Sequence, residues 1–153
     1  PPRSTLFPYT TLFRSRAEDE EFASDREMTA FSQFSRYETP ETAVIFDSAP
    51  LKVQFPEAHQ HFVQDYVDLI NQAVDERFYK INESLKEKTA HLAEKLSFMK
   101  SGAKDIVEIH RLAIQIRIKN VNAKERRIVM EEGRFLLISL MGILINLYRR
   151  KIY

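Results

Sequence analysis

Residues 133–152 read GRFLLISLMGILINLYRRKI, and this segment does most to decide the fold. Residues 135–145 are apolar on every side of a helix except at Ser139. A helix that is apolar all round must be central in its protein or lie between two apolar surfaces. We therefore predict a dimerisation helix, which packs on its own bundle and on a second copy of the chain. Gly142 would allow close helix approach there.

The length of this segment bears on whether it crosses a membrane. Its uncharged part, between Arg134 and Arg149, corresponds to about 21 Å of helix. A bilayer core is about 30 Å thick and needs about 20 apolar residues. The sequence therefore favours a buried helix, with a membrane-associated helical module as an open alternative. In that alternative the basic residues at the end of the helix would lie at the lipid surface.

Three further helices are predicted upstream, because apolar residues recur there at spacings of three and four. Pro56 suits a first helical position, and an apolar face over residues 62–73 follows it. A second pattern runs over residues 81–99 and stops at Ser101 and Gly102.

The third pattern runs from about residue 103 to residue 119. Asn122 then stands three residues before Glu125, which resembles a capping box at the start of the last helix. We expect that helix to bend or break near Gly133. The predicted fold class is all-α, a dimeric four-helix or five-helix bundle over residues 56–153.

The chain is unevenly charged. Residues 16–50 hold nine acidic and three basic residues, whereas residues 100–153 hold twelve basic and five acidic ones. We predict that residues 16–55 form a poorly ordered acidic arm or linker, in which a short strand-like run at residues 43–46 has no partner strand. The basic half is interpreted as a solvated face, with a surface for an acidic partner as the alternative. Nucleic-acid binding is not expected, because no aromatic residue is interleaved with these charges.

Residues 1–15 read PPRSTLFPYTTLFRS and differ from the rest. A signal peptide is not indicated, since Pro8 and two threonines interrupt any apolar run. Back-translated in one frame, the whole segment matches a common short-read sequencing adapter. We interpret it as a cloning or assembly artefact, which leaves the true N-terminus undefined and the presence of upstream domains open.

Composition excludes several kinds of site. The chain has no cysteine, which rules out disulfides and thiolate metal ligands or nucleophiles and favours a cytoplasmic location. It has three glycines, too few for a glycine-rich phosphate loop. No constellation of acid, base and nucleophile stands out, so the protein is not expected to be an enzyme or to hold a metal or cofactor.

The four histidines are assigned individually. His59 and His61, two apart near a helix start, are predicted to be surface residues, because they point to different faces. His91 is predicted to face solvent. His110 lies on an apolar stripe and is predicted to be a core imidazole with a satisfied hydrogen bond, or alternatively a contact in a partner groove.

Two segments carry a family resemblance. Residues 104–114, KDIVEIHRLAI, and residues 133–152 resemble the C-terminal domain family of the circadian clock protein KaiA. They are also similar to the N-terminal domain family of the stress phosphatase regulator RsbU. The resemblance covers residues 55–153 and implies a dimeric four-helix bundle.

The resemblance also implies a function. KaiA-type dimers grip the tail of a partner kinase and promote its autophosphorylation, and RsbU-type dimers bind a kinase-like activator. We therefore expect a homodimeric regulatory domain in signal transduction, such as a circadian clock, that binds a kinase or kinase-like protein. The alternative is a non-catalytic fragment of a larger signalling enzyme with a SpoIIE-type or protein phosphatase 2C-type domain.

The residues expected to bind the partner or form the dimer interface belong to the last two predicted helices. Most are apolar or aromatic, and two arginines would meet acidic groups. They are Ile106, Ile109, His110, Ala113, Leu137, Met141, Leu144, Tyr148, Arg149 and Arg150.

Overall fold

The structure is a computed structural model that describes residues 16–36, 49–79 and 84–152. These residues contain helices and no strand, which confirms the all-α prediction. In chain order the helices are α1 (Arg16–Arg36), α2 (Leu51–Gln54), α3 (Pro56–Tyr79), α4 (Ser84–Phe98), α5 (Ala103–Ile118) and α6 (Ala123–Ile152).

Local signals fix where several helices begin. Pro56 opens α3 as predicted. Asn122 Oδ1 accepts a hydrogen bond from the Glu125 backbone N–H at 2.8 Å, which confirms the asparagine cap of α6. The Glu125 carboxylate lies 2.9 Å from Arg117 Nη2, an ion pair that joins the start of α6 to the end of α5.

The end of α4 also lies close to its predicted position. The Ser101 N–H donates to the Leu96 carbonyl at 3.0 Å, which closes the last turn. The residue with left-handed backbone is Lys100, with a φ of 55°, and not Gly102 as a glycine stop signal suggests.

Helix α6 lies at the centre of the fold and packs against α1, α3, α4 and α5. The core combines apolar side chains from α3 to α6, and the largest fully buried ones include Tyr66, Ile70, Leu96, Ile106 and Leu140. Full burial of such a side chain contributes about 1.5–3 kcal/mol. The bundle is therefore held together chiefly by contacts with one central helix.

The prediction of a poorly ordered arm is wrong for residues 16–36. They form α1, which packs on α5 and α6. Its composition is polar, but Ser24 is buried and Met28 packs against the core. A narrow contact face is therefore enough to dock this helix, although its acidic composition predicted a poorly ordered arm. The strand-like run at residues 43–46 lies outside the described residues.

The expected break of α6 at Gly133 is also wrong, because the helix runs through this position. A Cβ atom at Gly133 would come within 2.6 Å of Ile114 Cδ1 and 3.3 Å of His110 Cε1. Gly133 therefore lets α5 approach α6 closely.

Candidate functional site

Helix α6 carries two apolar faces on opposite sides. Leu136, Leu140 and Leu144 point into the bundle and are buried. On the other side Phe135 and Ile138 are each 69% exposed, and Ile145 is 56% exposed. Large apolar side chains that share one exposed face mark a candidate interaction surface, whereas single exposed apolar residues scattered over a surface are ordinary.

We call this surface the outer seam. Its members recur at alternating spacings of three and four, as in the heptad pattern of paired helices. Gly142 lies within it, and a Cβ atom added there would meet nothing within 4 Å. This glycine therefore serves no packing contact among the described residues and leaves a shallow notch in the seam. The outer seam consists of Phe135, Ile138, Gly142, Ile145 and Arg149.

A compact ion-pair cluster flanks the N-terminal end of the outer seam. Arg77 Nη1 donates to Glu131 Oε2 at 2.7 Å and to Glu132 Oε1 at 3.1 Å. Arg127 Nε lies 3.8 Å from Glu131 Oε1. The hydrogen bond from Arg77 lowers the pKa of Glu131, so this carboxylate is ionised at neutral pH.

The C-terminal end of the outer seam is basic. Arg149 and Arg150 are exposed. Lys151 follows them, so three cations stand in succession at the end of α6. Lys151 Nζ also donates a hydrogen bond to Ser97 Oγ at 2.7 Å. These positive charges interact favourably with the helix dipole.

Tyr148 anchors this end of α6 to the bundle. Its hydroxyl donates to the Ser101 carbonyl at 2.7 Å, in the turn between α4 and α5. Burial is the main reason that the pKa of Tyr148 is raised. The tyrosine therefore has a structural role in the single chain.

The structure divides the predicted interface residues into two groups. Five of them lie in the core of the single chain and offer no surface in this conformation: Ile106, Ile109, His110, Ala113 and Leu144. They are covered because the neighbouring helices pack on α5 and on the inner face of α6. Leu137, Met141 and Tyr148 are half-buried, and Arg149 and Arg150 are exposed.

Three exposed residues of the outer seam are not among the predicted interface residues: Phe135, Ile138 and Ile145. Their alternating spacing was a usable signal. It was obscured because the opposite face of the helix is equally apolar. Only the position of the other helices shows which face is already covered.

His110 lies in a buried cluster that joins four helices. Its Nδ1 atom lies 2.8 Å from the Tyr66 hydroxyl, so the predicted hydrogen bond is confirmed. Phe31 of α1 meets the imidazole edge-on with ring centroids 4.8 Å apart. The Tyr66 hydroxyl also donates to the Gly133 carbonyl at 3.5 Å, a long hydrogen bond.

The cluster keeps His110 uncharged. Burial lowers the pKa of this imidazole to about 4 and raises that of the Tyr66 hydroxyl well above its usual value. Among the described residues, His110 Nε2 has no hydrogen-bond partner. A neutral, enclosed imidazole next to an un-ionised phenol is suited to specifying how the helices pack.

The prediction for His59 is wrong, because this residue is buried and not on the surface. The short helix α2 packs on α3 next to it, and Asp105 Oδ1 accepts the Leu51 N–H at 2.9 Å to hold α2 on α5. Burial, and then the charge of Lys52, lower the pKa of His59. His61 and His91 are exposed, as predicted.

The described residues contain neither a metal-binding cluster nor a membrane-spanning helix. In residues 16–36, 49–79 and 84–152, no three potential metal ligands from histidine, aspartate or glutamate lie together. None of the helices in these ranges is long and apolar enough to cross a membrane. The outer seam is therefore the candidate site with the clearest physical signature.

Comparisons of this chain with protein-family models, with curated proteins and with solved structures found no match.

Proposed function

We propose that this chain is a regulatory protein–protein interaction domain that forms a homodimer through the outer seam and binds a kinase or kinase-like protein. The observation that carries the proposal is the double apolar character of α6. Its inner face completes the core of the chain, and its outer face leaves Phe135, Ile138 and Ile145 in water.

A symmetric dimer uses this surface efficiently. In a two-fold contact each residue occurs twice, so three large side chains per copy supply six to the interface. Each contributes about 1.5–3 kcal/mol at full burial, which must offset the loss of translational and rotational freedom.

The regulatory half of the proposal is supported by the family resemblance of residues 104–114 and 133–152. Arg149 and Arg150 are exposed and would bind acidic groups of the partner. Leu137 and Met141 are half-buried beside the outer seam and would contribute apolar contacts. The domain would act by holding one conformation of its partner, and no catalytic step is part of the proposal.

The dimer is tested by size-exclusion chromatography with light scattering on the full chain. We expect the wild type to be a dimer at micromolar concentration and Ile138→Glu to be a monomer, because the variant places a charge in the seam. Ile116→Glu is the matched control, since Ile116 is a 54%-exposed isoleucine on α5. This control should remain dimeric.

Two results would contradict the proposal. One is a wild type that is monomeric at every concentration tested. The other is an Ile138→Glu variant that dimerises as tightly as the wild type, which would place the contact elsewhere. Circular dichroism of each variant shows that its helices are intact, which is expected because both positions are exposed.

A further inference from the structure

The apolar part of the outer seam is symmetric about the level of residue 140. Phe135 and Ile145 lie equally far from that level along the helix, and so do Ile138 and Gly142. Reversing the direction of α6 therefore exchanges Phe135 with Ile145 and the side chain of Ile138 with the notch at Gly142. Two antiparallel copies would pair a projection with a notch at both positions.

The charged ends of the seam share this symmetry. Glu131 and Arg149 are also equally far from residue 140. An antiparallel second copy would bring its basic end next to the cluster in which Arg77 holds Glu131 and Glu132. That cluster holds the carboxylates of Glu131 and Glu132 and the guanidinium groups of Arg77 and Arg127, so its net charge is zero. Arg149 would lie beside Glu131 there and away from the basic end of the other copy.

A parallel arrangement of the two α6 helices is less favourable, both for apolar packing and for charge. It would place Gly142 opposite Gly142 of the second copy, which leaves an unfilled gap where the seam should pack. It would also bring the two basic ends together, so that Arg149, Arg150 and Lys151 of each copy repel those of the other.

We propose that a second copy of this chain docks antiparallel on the outer seam, with a two-fold axis at the level of residue 140, Ile138 in the Gly142 notch and Arg149 beside Glu131. This inference rests on the dimer proposed above and specifies its orientation and register.

The antiparallel dimer has a consequence for partner binding. The basic end of each copy would lie beside the Arg77–Glu131 cluster of the other copy, which makes two equivalent composite surfaces. The α6 segment from residue 131 to residue 149 is about 27 Å long at about 1.5 Å per residue, which sets the separation of the two surfaces. Each surface is incomplete without the second copy.

Pulsed electron spin resonance on single spin labels tests the orientation. The chain has no cysteine, so each label can be placed at one introduced cysteine without removing others. Arg150→Cys puts the label at an exposed site ten residues from the axis, and Ser139→Cys puts it at an exposed site next to the axis. Light scattering on the same labelled samples gives the oligomeric state.

In the antiparallel dimer the two labels at position 150 should be about 30 Å apart along the helices. The two labels at position 139 should be much closer, with a separation set by the distance between the helix axes, about 8–10 Å, and by the label arms. A long distance at position 150 together with a short distance at position 139 would support the proposal.

The failures are distinguishable. Short distances at both positions in a dimer indicate parallel helices, which overturns the orientation and leaves the dimer in place. A long distance at position 139 in a dimer shows that the outer seam is not the contact, which overturns the register and the seam. Monomeric samples overturn the proposed function itself.

Discussion

At the scale of single residues, His110 is a buried imidazole whose pKa is far from its ordinary value. It is enclosed by Phe31, Tyr66 and Gly133, and burial lowers its pKa to about 4 from an ordinary value of 6.5. The unfolded chain therefore binds a proton at this site between pH 6.5 and pH 4, while the folded chain does not. Acid must destabilise the fold through this residue.

The first prediction follows from that difference. As the pH falls from 6.5 to 4, the free energy of unfolding should decrease by up to about 3 kcal/mol through His110, and buried His59 contributes in the same direction. Urea unfolding at a series of pH values measures this slope, and the imidazole proton signals in an NMR titration assign it to His110.

Tyr66→Phe is the informative variant. Burial is the cause of the lowered pKa of His110. Removal of the Tyr66 hydroxyl should therefore change the free energy of unfolding but preserve most of its decrease between pH 6.5 and pH 4. A His110 signal that titrates near pH 6.5 in the folded wild type would show that the imidazole is accessible to water, in conflict with its position in the structure.

At the scale of elements, α1 is the helix with the fewest core contributions. Its polar sequence docks through a narrow face that includes Ser24 and Phe31, and Glu27 Oε1 lies 3.2 Å from Arg134 Nε of α6. Burial raises the pKa of Glu27 in spite of this arginine, so the ion pair is partly enclosed. Contacts of this kind stabilise a helix that opens more easily than the core.

The second prediction concerns this helix. Phe31→Ala should lower the opening free energy of α1 by about 1–3 kcal/mol, because the variant loses the ring contact with His110. Hydrogen exchange resolved by residue should show faster exchange in α1 and little change in α3 and α4. Phe34→Ala on the same helix is the matched control, since Phe34 is 47% exposed.

Two outcomes would count against this description of α1. Equal effects of Phe31→Ala and Phe34→Ala would mean that the face containing Phe31 does not dock the helix. Equally faster exchange in α1 and in α3 would mean that α1 is part of the main cooperative unit, not a separate element on its surface.

At the scale of the whole molecule, the proposed dimer predicts that folding is coupled to self-association. If the folded chain dimerises and the unfolded chain does not, the stability rises with protein concentration by mass action. A tenfold increase in concentration then adds about 0.7 kcal/mol per copy, which raises the melting temperature of a chain of this size by about 1.5–3 °C. The third prediction is this shift in differential scanning calorimetry.

Ile138→Glu again provides the comparison. Its melting temperature should be independent of concentration, because the variant cannot bury its seam. A wild type whose melting temperature stays constant over a hundredfold range of concentration would show that association contributes nothing to its stability.

The sequence alone determined the local features of this protein. The helical class, the start of α3 at Pro56 and the asparagine cap at Asn122 followed from signals that act within about one turn. The core position of His110 also followed from the sequence, because this residue lies on a continuous apolar stripe, and so did its hydrogen bond, which Nδ1 makes with Tyr66. Such features depend on neighbours in the sequence, which the sequence displays directly.

The tertiary structure alone decided which surfaces are covered. It showed that α1 docks although its composition is polar, that His59 is buried, and that Gly133 leaves room for Ile114 within a continuous α6. It also separated the two apolar faces of α6, which are alike in sequence and differ only in what packs on them. The physical reason is that burial depends on contacts between residues far apart in the chain, and periodicity within one helix carries no information about its neighbours.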